Sequence, residues 1–234
     1  MQQYFINEII NINSEVILPK DVMEHFFRVL RMKDDQEIYL VDSLNKKYLC
    51  KIKEYKAIVI KEIVGNYELP IKVTIVQALI KNDNFDYFVK KSSELGVSTI
   101  VPLVTKRTIV KTNEKSIKKL ERYQKIAFEA SCQCKRNIVP KVNETINLKD
   151  IIKYKSDINL VCYEDLNYPS FKLRDLINQN QSITIVIGPE GGFDLSEVEF
   201  LRKNDFKCIN LGPRILRAET AGLYCLSVVS GLLE

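Results

Sequence analysis

The chain has 234 residues, 46% of them apolar and 28% charged, with 35 basic side chains against 30 acidic ones and a net charge of +5. That length lies between one and two domains, and those fractions exclude collagen-like, mucin-like and largely disordered chains. No uninterrupted apolar run reaches 18 residues, and Met1 to Ile10 has neither a basic start nor an apolar core, so neither a membrane span nor a secretory signal is expected.

In chain order, residues 1–70 predict a small β-rich domain. Glu37 to Val41, Lys47 to Lys53 and Ala57 to Val64 are short runs rich in Ile, Val and Tyr, separated by turn residues. A helix from Asp21 to Leu30 interrupts them, carrying Val22, Phe26, Val29 and Leu30 on one face. His25 and Arg28 on that helix, with Arg31 just after it, are candidate RNA contacts, although a lone helical histidine is more often structural.

After Pro70 the pattern changes to alternating strands and helices over 71–234, the signature of an α/β domain with a mostly parallel sheet covered on both faces. Strands are predicted at Ile71 to Leu79, Thr99 to Leu103, Ile158 to Cys162, Ile183 to Ile187 and Lys207 to Asn210. Phe85, Phe88, Val89 and Leu95 mark a helix stopped by Gly96; Asp194 and Glu197 start another as a capping box. Glu219 to Leu233 is apolar nearly all round, which predicts a buried helix with part of its surface in a subunit interface.

Charge is concentrated in one place. Residues 105–136 hold ten basic side chains and three acidic ones. A helix from Ser116 to Cys134 would bury Leu120, Tyr123, Ala127, Ala130 and Cys134. On the opposite side it would present Lys118, Arg122, Lys125, Glu129, Gln133 and Arg136. Such a stripe can lie along phosphates, with Lys106, Arg107 and Lys111 just upstream, but a solvated helix face has the same pattern.

Scarce residue types exclude much chemistry. One histidine rules out HExxH and multi-histidine metal sites; no two of the eight glycines are spaced GxG; neither a P-loop nor a GxSxG elbow is present. The six cysteines form no regular framework, which fits a reducing cytosol, and Cys132 and Cys134 point to nearly opposite sides of a helix. Four glycines, Gly188, Gly191, Gly192 and Gly212, instead fall just beyond predicted strands, where open α/β sheets bind ligands. A tight turn without a ligand would look similar. In the second loop Arg214, Arg217 and Glu219 stand beside Gly212 ahead of an apolar helix. They need either mutual pairing, a role for Glu219 at the helix start, or a ligand.

The pair IGPEGGF at Ile187 to Phe193 and LGPRILRAETA at Leu211 to Ala221 resembles the SPOUT superfamily, and within it the RsmE-type 16S ribosomal RNA uridine-N3 methyltransferases. The likeness extends in order through HFFRVLR at His25, KKSSELGV at Lys90, IVPLVTKR at Ile100 and EASCQCKRNIVP at Glu129. Cys132, Ala218 and Gln3 to Phe5 depart from the family pattern. The resemblance implies a PUA-like β-barrel followed by a catalytic domain with a C-terminal trefoil knot, a cytoplasmic homodimer, and the small ribosomal subunit or its 16S rRNA as partner. It implies S-adenosyl-L-methionine, with no metal, held by Ile187, Gly188, Pro189, Gly191, Gly192, Leu211, Gly212, Ile215, Leu216 and Thr220.

Uridine N3 keeps its proton well above neutral pH, so methyl transfer needs that proton removed or the resulting anion stabilised. Arg217, alone or with Arg214, is the candidate for stabilising it, and Glu219 or a water molecule for taking the proton. A binding module without catalysis, or a transferase acting on another RNA, would share most of these features.

Overall fold

The structure, a computed structural model, describes residues 1–24, 26, 33–54, 56–109, 116–165 and 168–234. The chain forms two compact units, one of residues 1–68 with 131–138 and one of 69–130 with 139–234. The sequence placed the division after residue 70 and gave 131–138 to the second domain. The first unit takes that segment because Gln3 Nε2 donates to the Arg136 carbonyl at 2.6 Å and the Arg136 guanidinium grips Glu68.

In the first unit β1 (Gln2–Phe5), β2 (Glu15–Ile17), β3 (Glu37–Val41), β4 (Lys47–Lys53) and β5 (Lys56–Ile63) form one sheet in the order β1-β3-β4-β5-β2. Only β1 and β3 run parallel. Alternation sets the inner face: Tyr48, Cys50 and Ile52 of β4 are buried while Lys51 and Lys53 face water. Tyr4 packs edge-on against Phe26 at 4.7 Å, beside Ile38 and Leu40. Among the described residues β1 and β2 are the two ends of this sheet, so in its hydrogen bonding it is open where a closed barrel was expected. The helix expected over Asp21 to Leu30 is described only as α1 (Lys20–Glu24).

The second unit is built on parallel strands: β6 (Val73–Ala78), β7 (Thr99–Val104), β8 (Lys141–Val142), β9 (Ile146–Asn147), β10 (Ile158–Cys162), β11 (Phe171–Lys172), β12 (Ile183–Ile187) and β13 (Lys207–Asn210). Their order is β11-β13-β10-β12-β6-β7-β8, with β9 also pairing β7. All five residues of β12 are buried, as its unbroken Ile-Thr-Ile-Val-Ile run predicts for a strand covered on both sides.

One face carries α2 (Asn82–Glu94), the first part of α3 (Ser116–Cys134) and α5 (Ala218–Leu233), through Phe85, Phe88, Tyr123, Leu226 and Val229. The other carries α4 (Leu195–Lys203) and the 3-10 turn Leu148–Tyr154, through Val198, Leu201 and Ile151. Gly96, at φ +87°, stops α2 as predicted. The last helix is covered on one side only. It buries Ala221, Gly222, Cys225, Leu226 and Val229, but Tyr224 and Leu232 remain 44% and 50% exposed. Its composition is apolar all round, yet a single chain has a sheet to offer only one side of it.

Candidate functional site

Where β12 ends at Ile187 the chain makes a tight turn, Gly188 to Phe193, closed by the Gly192 N–H donating to the Pro189 carbonyl at 2.9 Å. Gly192 sits at φ +66°, a left-handed conformation that a side chain strains. Phe193 plugs into the core beneath, and Asp194 caps α4 with Glu197 in a reciprocal capping box.

That cap is tied to the end of β7. Glu197, 4% exposed, accepts the Lys106 N–H at 2.8 Å and the Asp194 N–H at 3.0 Å. Asp194 accepts from Ser196 and from Lys106 Nζ, and these bonds hold its carboxyl down at about 2. Arg107 Nη1 donates to the Gly191 carbonyl at 3.0 Å. The expected RNA residue Arg107 therefore also holds the glycine turn, with its side chain 51% exposed.

After β13 the second loop swings through Gly212 at φ +105° and reaches Arg217, the N-cap of α5. The two loops, the end of β10 and the start of α2 enclose a cavity of about 560 Å³. That is the size of a site for a nucleoside-sized ligand. Ile187, Gly188, Pro189, Gly192, Leu211, Gly212, Ile215 and Leu216 all line it. Two residues expected at the cofactor, Gly191 and Thr220, do not: Gly191 turns its carbonyl to Arg107, and Thr220 is exposed on the first turn of α5.

The three residues proposed for chemistry meet in this cavity. Arg214 and Arg217 are exposed at its wall, and neither guanidinium has a hydrogen-bond or ion-pair partner among the described residues. Glu219 is 9% exposed, and its Oε2 is buried with no hydrogen-bond partner among the described residues. So Arg217 and Glu219 are not paired; Glu219 stands in the first turn of α5, where the helix N-terminus favours its charge, and its Oε2 is left for a further partner. A buried, unpartnered carboxylate oxygen beside two free cations is the arrangement of a site that meets a polar ligand.

Further residues line the cavity, of which Asn84 and Glu164 escaped the sequence reading. Lys81 and Asn84 reach the cavity from the start of α2, and Glu164 and Glu190 from the loops after β10 and β12. Their signal is positional, since each follows the carboxyl end of a strand, but without the strand order nothing joins them. Cys162 also lines the wall, its Sγ 3.7 Å from that of Cys225. The hydrogen bond with Cys225 and burial push its thiol well up, so it is a neutral wall group and not a nucleophile.

The expected RNA residues divide. Lys118, Arg122, Lys125 and Gln133 are exposed along α3, opposite buried Tyr123, Ala127 and Ala130. Arg136 is not part of that stripe: it is 3% exposed and ion-paired with Glu68 at 2.5 Å. The reason is local. Lys135 adopts φ +68°, which ends the helix, so a spacing extrapolated past Cys134 points Arg136 the wrong way. His25, Arg28, Arg31 and Lys111 lie outside the described residues.

Comparison with known proteins gives this geometry a family. An RNA methyltransferase domain profile matches residues 67–230 and an RNA methyltransferase PUA domain profile matches 18–63. The chain is 33% identical to ribosomal RNA small subunit methyltransferase E of Bacillus subtilis, over 98% of this chain and 96% of that protein. It is 32% identical to the protein of the same name from Mesomycoplasma hyopneumoniae, over 97% and 98%. The structure of ribosomal RNA small subunit methyltransferase E from Neisseria gonorrhoeae bound to S-adenosyl methionine superposes with a TM-score of 0.90 at 28% identity, covering 99% of this chain and 98% of that one.

The cavity fits that cofactor. Backbone groups of two glycine-bearing loops edge it, and among the described residues a Cβ on Gly212 would meet nothing within 4 Å and charges of both signs stand unpartnered at its wall. The chain belongs to the ribosomal RNA small subunit methyltransferase E family, and is an S-adenosylmethionine-dependent RNA methyltransferase.

Proposed function

We propose that the chain methylates N3 of a uridine in the 16S rRNA of the small ribosomal subunit, acting in the cytoplasm as a homodimer. The observation that carries this is the cavity of about 560 Å³ in which Arg214, Arg217 and the buried, unpartnered Oε2 of Glu219 converge. S-adenosylmethionine supplies an activated methyl group there. Backbone groups of the loops at Ile187 to Gly192 and Leu211 to Leu216 hold it, and Cys162 and Ile209 give the cavity apolar wall. The protein is left to bind, orient and adjust charge.

The target base leaves its stack to enter the site. Arg217, with Arg214 beside it, faces the negative charge that spreads over O2 and O4 as the N3 proton departs, and electrostatic stabilisation of that kind is often the largest catalytic effect. Glu219 Oε2, or a water molecule bound to it, accepts the proton. The phosphates are carried by Lys118, Arg122 and Lys125, with Gln133, Arg107 and the His25, Arg28 and Arg31 segment as further RNA contacts.

The strand order supports a trefoil knot in the C-terminal part: β12 enters between β10 and β6, and β13 then lands on the far side of β10. A dimer is supported by the uncovered face of α5, where Tyr224, Val228 and Leu232 edge a second cavity of about 510 Å³. The test is incubation of purified small subunits, 16S rRNA and transfer RNA with S-adenosylmethionine, followed by nucleoside mass spectrometry. A new N3-methyluridine in 16S rRNA is expected. Arg217→Ala should leave cofactor binding within about threefold and lower turnover by about 100-fold or more, in line with loss of a transition-state charge interaction. Methyl gain at another nucleoside, or unchanged turnover of the variant, would refute the assignment.

A further inference from the structure

The cavity and the cationic stripe of α3 do not adjoin directly; α2 lies between them. On a helix turning about 100° per residue, the buried arc of α2 is held by Phe85, Val89, Ser92 and Ser93. At one edge of the outward arc Asn84 lines the cavity. At the other edge Asp86 forms an ion pair with Arg122, the middle residue of the α3 stripe. Between them stands Tyr87, 52% exposed.

The charges of this segment cancel. Residues 81–94 carry three lysines and three acidic residues, and Lys91 is already paired with Glu94 at 2.7 Å. The outward face is therefore no phosphate track. It presents an aromatic ring about 4.5 Å along the helix from the cavity edge, a distance comparable to one nucleotide step. Proteins that handle unstacked RNA use rings placed in this way as platforms for bases.

We propose that Tyr87 is a stacking site for a nucleobase adjacent to the methylated one, set between the phosphate-binding stripe of α3 and the methyl-transfer cavity. A base turned out of its helix leaves its neighbour with an uncovered face, and the ring covers that face. This rests on the RNA methyltransferase reading above. Tyr87 acts as a binding residue for the flanking nucleotide and takes no part in the chemistry.

The experiment compares wild type with Tyr87→Ala, Tyr87→Phe and Tyr87→Leu. It measures initial methylation rates against concentration of small subunits and of naked 16S rRNA, and binding of a labelled single-stranded RNA by anisotropy. Loss of one stacked base predicts about a tenfold rise in KM and in the RNA dissociation constant for Tyr87→Ala. Affinity for S-adenosylmethionine and melting temperature should be unchanged, and Phe should restore RNA affinity while Leu should not.

Values for Tyr87→Ala within about twofold of wild type would overturn the proposal. So would equal rescue by Leu and Phe, or a defect seen with subunits and absent with naked RNA, which would mean the ring meets protein. Wild type inactive on both substrates would overturn the functional reading instead, and the anisotropy series would still decide whether Tyr87 stacks.

Discussion

Glu197 is the residue through which the Ile187 to Phe193 turn can be disturbed without touching the cavity. Its carboxylate joins the Lys106 N–H, at the end of β7, to the Asp194 N–H, at the start of α4, and it does not line the site. Glu197→Ala removes the acceptor from both. Hydrogen bonds to a charged group contribute about 1.5–3 kcal/mol each. Lys106 is exposed and Asp194 half-buried, so water takes over part of the loss, leaving about 2–3 kcal/mol for the pair. For a unit of this size that lowers the melting temperature by about 4–12 °C.

Because the same clasp orders the Ile187 to Phe193 turn, affinity for S-adenosylmethionine should also fall by about three- to tenfold as preorganisation is lost. Glu197→Gln should do little better, since its amide nitrogen would face a backbone N–H. Urea unfolding and titration calorimetry measure the two effects. A variant within about 0.5 kcal/mol of wild type that binds cofactor equally well would show that the turn is held by its own backbone and by Arg107, and the reasoning would be wrong.

Three further outcomes are expected. The Asp194 carboxyl is held at about 2 against an ordinary 3.8, so between those values the unfolded chain binds more protons and stability rises with pH. Its contribution is present above pH 3.8 and is lost as pH falls through about 2; the pH–stability profile of Asp194→Asn should be flatter across that window. Charge reversal at Lys118, Arg122 and Lys125 should weaken RNA binding and make its salt dependence shallower, by about one unit of log–log slope for each phosphate no longer neutralised. An unchanged slope would make the stripe a solvated face. Gly212→Ala, at φ +105° with no atom within 4 Å of the new Cβ, should cost about 1–2 kcal/mol from backbone strain alone, read by thermal melting.

The legible parts of the sequence were those whose physics is local. The β12 run, the Asp194–Glu197 box, the Gly96 stop and the buried side of α3 follow from periodicity and capping, and each lies where its residues predict. The short strands β1, β2, β8, β9 and β11 were not legible, because two to four residues hold no period and exist only through a partner strand. Arg136 was misread because α3 stops before it at Lys135, φ +68°, and it turns instead to Glu68, a partner far away in sequence. At the site, the two glycine loops were visible as motifs, whereas Asn84 and Glu164 became visible only once the strand order brought their ends together.

That order also governs how the chain can be made. The strand β12 separates β10 from β6, so neither can find its final neighbour until residues 183–187 have left the ribosome. Until then the nascent protein displays two incomplete sheet fragments with unpaired edges, the condition in which strands recruit wrong partners. Residues 207–221 complete the cavity later still, so a ligand of that cavity can stabilise only a chain extended past residue 221 and gives no help to shorter precursors.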